Sequence, residues 1–166
     1  FWDANVHELW SPSGLSKPVN RATSLRNFIK MLLVADAKLS PNNCSQQAIA
    51  AIDKSQYINT IDELFQNLVN HGFLLLNSSL VLSQNAVRYD AKAWSPFMET
   101  LLNALHNRDS DITLLLFGHI AAAIHPMDHA RAFRQLVAEH PYNVSFIVNQ
   151  AVLDFFRPLA LLNKRQ

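Results

Sequence analysis

The sequence predicts an α/β domain built on a parallel sheet, and three observations carry that expectation. Helical stretches with one apolar face alternate along the chain with short continuous apolar runs. Those runs, Phe73–Leu76 and Ile112–Phe117, are strand-length rather than helix-length. At 166 residues, 49% of them apolar and 16% charged, the chain is long enough for one domain with a sizeable core and too apolar to be disordered.

Residues 1–22 hold Pro12, Gly14 and Pro18 among polar neighbours and read as loop. Leu25, Phe28, Ile29, Leu32 and Leu33 then repeat at helical spacing, with Thr23 or Ser24 as the expected N-cap. Residues 39–58 are polar and read as a connecting loop with a short helix. Thr60-Ile61-Asp62-Glu63 is a capping box opening a helix whose apolar face is Leu64, Phe65, Leu68 and Val69 and whose stop is Gly72. The run from Phe73 to Asn77 is expected to be a strand, and residues 83–92 a polar loop. A helix from Trp94 to His106 is expected to bury Trp94, Phe97, Leu101, Leu102 and Leu105. Asp111–Phe117 reads as a second strand, with Gly118 opening a helical stretch from His119 to Ile124. For Arg134–Glu139, propensity favours helix, whereas its position before His140-Pro141 favours a strand ending at a loop. Residues 149–162 read as helix, with Pro158 a kink or boundary.

Bulk properties remove several function classes. No apolar run reaches the length that crosses a bilayer. Phe1-Trp2-Asp3 has neither the basic start nor the apolar stretch of a secretory leader, and an opening Phe rather than Met leads us to expect a segment upstream. Cys44 is the only cysteine, so no internal disulfide forms and a reducing compartment is the natural reading. His125 and His129 are four apart, but Pro126 lies between them and no carboxylate motif accompanies them, so no metal site is expected. A net charge of +1 neither predicts nor excludes nucleic acid; a basic surface would have to be local.

Three polar residues fall just after strand-like or strand-adjacent segments: Asp3, Asn77 and His140. In a parallel sheet such ends converge on the edge where ligands bind. An amide carries both a donor and an acceptor, so Asn77 can read the edge of a nucleobase. A carboxylate, an amide and an imidazole together suit a reaction that builds positive charge on one fragment and negative charge on another. Each also has a plain reading, as a surface carboxylate, a strand-end amide and a loop histidine.

The residues around these positions resemble a family. His71-Gly72-Phe73-Leu74-Leu75-Leu76-Asn77-Ser78-Ser79-Leu80 is similar to the "QGVLLLNxxL" segment of family 1 uracil-DNA glycosylases. In the same order, Gly14-Leu15 with Ser24-Leu25-Arg26-Asn27 resembles "GL…PPSLxNIyKEL", and Trp94-Ser95-Pro96-Phe97 resembles "GWexF". Leu114-Leu115-Leu116-Phe117-Gly118-His119-Ile120-Ala121 resembles "VFLLWGxxAq", and His140-Pro141 matches the start of "HPSPLS". Asp3 then aligns with the aspartate of "GQDPYH". The resemblance covers nearly the whole chain.

The resemblance implies a single domain over residues 1–166, incomplete at its N-terminus. It implies a three-layer α/β/α sandwich around a short, mostly parallel sheet. The implied activity is hydrolysis of the N-glycosidic bond of uracil in DNA, with the base flipped from the duplex and no metal or cofactor. Asp3 would stabilise the sugar cation and position water, and His140 would stabilise the charge on the departing base. Asn77 would read the uracil edge. Ser24 and Ser145 would grip phosphates, and Val144 takes the place of the family's intercalating leucine. Two pocket positions depart from the pattern. Asn5 stands for the tyrosine that blocks the thymine methyl, and Lys17 stands for the phenylalanine on which uracil stacks. Base–aromatic stacking is worth roughly 1–3 kcal/mol, so Lys17 changes how the base is held. The alternative reading is a glycosylase-fold protein that binds DNA or a protein without efficient catalysis, or one with altered base choice. DNA is the implied partner, with no membrane, a monomeric state and an intracellular location, cytoplasmic or nuclear.

Overall fold

The computed structural model describes residues 6–77, 80–81, 83, 87–109 and 111–164. The chain is of the α/β class, with helices and a small parallel sheet. Its contacts form two compact units, one running up to Leu74 and resuming at Pro141, the other Leu75–His140.

In the first unit, β1 (Trp10–Ser11) and β2 (Gly14–Leu15) make a small antiparallel hairpin, pairing Trp10 with Leu15 and Ser11 with Gly14. Ser16 caps α1 (Lys17–Arg21): its hydroxyl accepts from the Val19 N–H at 3.4 Å and donates to the Glu8 carbonyl at 2.6 Å. Helix α2 (Thr23–Ala35) follows after Ala22 alone. The expected cap at Thr23 or Ser24 is therefore corrected. Ala22 is the N-cap, and both hydroxyl residues already lie inside the helix, because α1 runs almost directly into α2. The helix is also buried beyond the one face that its periodicity predicts, since Met31, Val34 and Ala35 are buried along with Leu25, Phe28, Ile29 and Leu32. It packs on the 3-10 turn Val144–Val148 and on α8 (Gln150–Phe156). Phe28 makes an edge contact with Phe156 at 5.3 Å and stacks near Phe146 at 6.4 Å.

The short helix expected within residues 39–58 is α3 (Gln46–Ala50), capped by the Ser45 hydroxyl. Helix α4 (Ile61–Asn70) opens on the capping box read from the sequence. The Thr60 hydroxyl accepts from the Glu63 N–H at 3.2 Å, and the Glu63 carboxylate accepts from the Thr60 N–H at 2.8 Å. Past Gly72, Phe73 stacks on Phe156 at 5.9 Å. The strand expected over Phe73–Asn77 does not form. The segment joins no ladder among the described residues, and Leu74 is 65% exposed. An apolar run specifies a strand only where a neighbouring strand accepts its N–H and C=O groups, and no such neighbour is paired with it here. Helix α8 ends at Phe156 and the 3-10 turn Arg157–Leu159 carries Pro158, as the proline boundary requires.

A buried charge sits where α2 ends. Asp36 is the C-cap residue, and its Oδ2 is buried without a hydrogen-bond partner among the described residues. Burial raises its pKa to about 6, with Lys38 opposing, and the C-terminal end of the helix dipole is also unfavourable to an anion. Tyr57 is nearly buried, its hydroxyl likewise unpartnered, and burial together with Asp36 pushes its pKa up to about 12. The folded state therefore holds a proton on Asp36 that the unfolded chain releases near pH 3.8. Stability falls as pH rises from there to about 6, and stays lower above it. Asp36→Asn should raise urea-unfolding stability at pH 7 by about 1 kcal/mol, after discounting for partial exposure, and have little effect at pH 4.

In the second unit, residues 87–92, expected as part of a polar loop, are helical, within α5 (Val87–Ala93). The buried Asp90 explains the order, since its carboxylate accepts from the Ser83 N–H at 2.7 Å and from the Ser83 hydroxyl at 2.6 Å. Helix α6 (Ser95–Arg108) buries Met98 and Leu102, with Leu101 and Leu105 partly buried beside them. Phe97, expected in the core, is 41% exposed and makes an edge contact with Trp94 at 5.5 Å instead. The core-facing side of α6 is centred one residue further on, at Met98.

Strand β3 (Thr113–Phe117), helix α7 (Gly118–Ala122) and strand β4 (Arg134–Ala138) form a parallel β-α-β unit. Leu115 lies opposite Leu136, and Phe117 opposite Ala138. The open choice at Arg134–Glu139 is thereby settled for strand, because pairing with β3 overrides local helix propensity. Leu116, Ile124, Ala130 and Phe133 complete this unit's core with Met98 and Leu102. Among the described residues no helix is long and apolar enough to cross a membrane.

Candidate active site

Strands β3 and β4 run in register and stop together, so the residues just beyond their C-terminal ends share one sheet edge. After β3 comes Gly118, and after β4, past Glu139, comes His140. Gly118 has φ +85°. A Cβ added there would lie 3.0 Å from His140 Cβ and 3.3 Å from its Cδ2. Glycine at 118 thus serves the turn and leaves room for the imidazole. His140 as a residue is exposed, yet partial burial of its ring lowers the pKa from the ordinary 6.5. At neutral pH the ring is therefore neutral, with one N–H donor and one acceptor nitrogen. Such a group can donate to a carbonyl oxygen as it gains negative charge.

Asn77 lies in the same unit as His140 and is exposed. It lies in the segment Phe73–Asn77, which joins no ladder among the described residues, rather than ending a strand. His125, in the turn after α7, is hydrogen-bonded to Gln135 on β4 at 2.6 Å, which accounts for one of the two spaced histidines. Among the described residues no group of three His, Cys, Asp or Glu side chains could hold a metal ion.

Four other candidates belong to the first unit: Lys17, Ser24, Val144 and Ser145. Lys17 is the exposed first residue of α1. Ser24 lies in the first turn of α2, half-buried and without the capping role. Val144 and Ser145 begin the 3-10 turn whose next two residues, Phe146 and Ile147, are buried. That anchoring holds Val144 outward at 70% exposure, so it is not a core residue. Asp3 and Asn5 lie outside the described residues.

Sequence reasoning assigns no role to Asn27. It is 1% exposed on α2, and its side-chain amide donates to the Pro141 carbonyl at 2.8 Å and the Tyr142 carbonyl at 3.2 Å. Its Oδ1 accepts from Arg26 Nε at 3.3 Å, which fixes the amide's orientation. A core helix thereby ties down the segment that leads to Val144 and Ser145. The available signal is a lone amide directly before Phe28 and Ile29, in a helical stretch, Leu25 to Ala35, whose other polar residues are the cations Arg26 and Lys30. Gly118 reads from sequence as a helix start, and its packing on the imidazole has no sequence signature.

No protein-family model matches the chain, and no curated protein matches it either. Two crystal structures of UNG from Nitratifractor salsuginis do, the wild type and a tyrosine-to-glycine mutant. Each superposes with a TM-score of 0.90 at 46% sequence identity, over 99% of this chain. The chain spans about two thirds of their length, 67% of the mutant and 66% of the wild type. Identity at this level over nearly every residue, joined to the ordered motifs and the shared fold, goes well beyond a common architecture. The chain belongs to the uracil-DNA glycosylase family, whose members are DNA N-glycosylases, a class of hydrolase.

Proposed function

We propose that this chain excises uracil from DNA by hydrolysing the bond between the base and deoxyribose C1′, as a step of base excision repair. The observation that carries the reading is His140, a neutral imidazole seated against Gly118 at the edge where β3 and β4 end. As the C1′–N bond breaks, its electron pair leaves with the base. The anion spreads onto the carbonyl oxygens, and the His140 N–H donates to one of them. Asp3 faces the cationic sugar and directs water to C1′, with the water's proton passing to a base. Asn77 donates and accepts at the uracil edge, a pattern that cytosine cannot match.

Ser24 and Ser145 hold phosphates on either side of the flipped nucleotide, and Val144 fills the gap left in the stack. Its 70% exposure supports that use. Asn5 and Lys17 border the base, where they replace a ring and a steric barrier with polar groups. The chain works as a monomer inside the cell, where DNA lies; a lone cysteine, needing no oxidising compartment, agrees with that.

The test is direct. The full chain is incubated with a uracil-containing oligonucleotide and the product treated with alkali. Strand breaks at the uracil position, absent from a thymine control, are expected. DNA binding without such breaks would leave a binding module and exclude the enzyme.

A further inference from the structure

We infer that a cleft of about 360 Å³ at the C-terminal end of α2, lined by Asp36, Lys38, Tyr57, Arg157 and Asn163, binds a primary ammonium group borne on a short alkyl chain. Two acceptors on its wall point to that chemistry. Asp36 Oδ2 and Tyr57 Oη are buried, and neither has a hydrogen-bond partner among the described residues. Buried polar atoms are paired in all but a few cases, so two unpaired oxygens on one cleft mark a place that a ligand completes. Tyr57 is 3% exposed, while Asp36 is half-buried and brings its carboxylate to the cleft. A carboxyl turns easily about Cβ–Cγ, so the inward oxygen can be presented to an incoming donor.

The ionisable groups around Asp36 decide the sign of the ligand. They are Lys38, Tyr57 and Arg157, with Asp154 paired to Arg157. Arg157 is already engaged: its Nη1 donates to Asp154 at 2.8 Å and its Nε to the Ala35 carbonyl at 3.3 Å. Lys38 is exposed and makes no ion pair with Asp36 among the described residues, although its charge opposes the larger rise that burial gives the Asp36 pKa. With that pKa raised to about 6, Asp36 is mostly ionised at neutral pH and repels an anion. The C-terminal end of the α2 dipole adds negative potential at the same place. An ammonium offsets both. Its three N–H donors match the carboxylate and the Tyr57 hydroxyl, with one left for water. Ala35 and Ala37 give the alkyl chain an apolar border.

The walls of the cleft are fixed. Ala37 takes a left-handed turn, φ +55°, and the Lys38 and Leu39 N–H groups both donate to the Leu33 carbonyl, at 3.0 and 3.1 Å. The Tyr57 side is held as firmly. Tyr57 bridges to Asn163, the Ile58 N–H donates to the Leu162 carbonyl at 2.8 Å, and the Tyr57 ring stacks on Trp10 at 6.1 Å. An unmatched carboxylate kept between such walls costs folding free energy, and proteins retain costs of that kind where a site needs them.

The experiment titrates full-length protein with n-butylammonium chloride by calorimetry at constant ionic strength, with tetramethylammonium chloride as a cation that has no N–H donor. Saturable binding with a Kd on the order of 1 mM is expected for the primary amine, and none for the quaternary one. Asp36→Asn keeps the side chain's shape and should lower affinity at least about tenfold; Tyr57→Phe should lower it about threefold or more. Affinity should be nearly level above about pH 7 and fall about tenfold per unit below about pH 6, because the ligand needs the ionised carboxylate. Absence of saturable butylammonium binding would overturn the inference. So would equal binding of the two cations, undiminished binding to folded Asp36→Asn, or affinity that rises as pH falls. Nα-acetyl-lysine N-methylamide then identifies the source. Affinity equal to that of butylammonium extends the site to a lysine side chain of a protein, and much weaker affinity restricts it to free alkylamines. None of these readouts involves DNA, so the inference stands or falls apart from excision.

Discussion

His140→Ala should lower single-turnover uracil excision about 10²–10³-fold while leaving duplex affinity within a few-fold. The size is that of removing one preorganised donor from a developing oxyanion. Rapid quench with enzyme in excess measures the chemical step, so a change in product release does not enter. The pH profile separates a neutral donor from an imidazolium. Burial holds the ring's pKa below the ordinary 6.5, so excision should stay level from pH 8 down through 6.5. A rate that rose as pH fell through 6.5, in step with a forming cation, would exclude the neutral donor. The linkage has a definite sign. The unfolded chain binds the His140 proton more readily than the folded one, so acid lowers stability as pH falls from 6.5 through the depressed value.

Asn27→Ala should have the largest effect on stability, about 3 kcal/mol by urea unfolding. It leaves the Pro141 and Tyr142 carbonyls without their donor, and each such loss costs about 1–3 kcal/mol in a buried setting. Asn27→Asp keeps the shape but puts a carboxylate where two carbonyls expect N–H. It should destabilise at least as much at pH 8 and recover in part as pH falls, when the protonated acid can donate once. A loss below about 0.5 kcal/mol for Asn27→Ala would mean that water replaces the amide, and that α2 does not anchor the segment after His140.

These two residues also mark what the sequence could and could not disclose. His140 is visible because proline comes next and a strand-length segment precedes it. Helices with strong local signals are equally visible, such as the one opened by Thr60 and Glu63. Asn27 stays silent because its partners lie more than a hundred residues away, at a separation of 114. Phe73–Asn77 misleads for a related reason: apolar content fits a strand, but pairing is decided by a neighbour that local sequence does not name. Residues 87–92 take helical form through the Ser83–Asp90 bonds, a link that polar composition alone reads as loop. Arg134–Ala138 goes the other way, its helical propensity yielding to the ladder with β3.

The same long separation shapes how the chain comes off the ribosome. Helix α2 is made well before the turn Val144–Val148 and helix α8 that cover it. The 114 residues added after Asn27, up to and including Pro141, take roughly 6–23 s to synthesise at about 5–20 residues per second. Throughout that interval Phe28, Ile29 and Leu32 lack their final cover, while Leu75–His140 can close its own contacts first. The Leu75–His140 unit can therefore close before the discontinuous unit that flanks it in sequence. A nascent chain stalled before Phe146 should engage chaperones through α2 and be released once α8 has emerged.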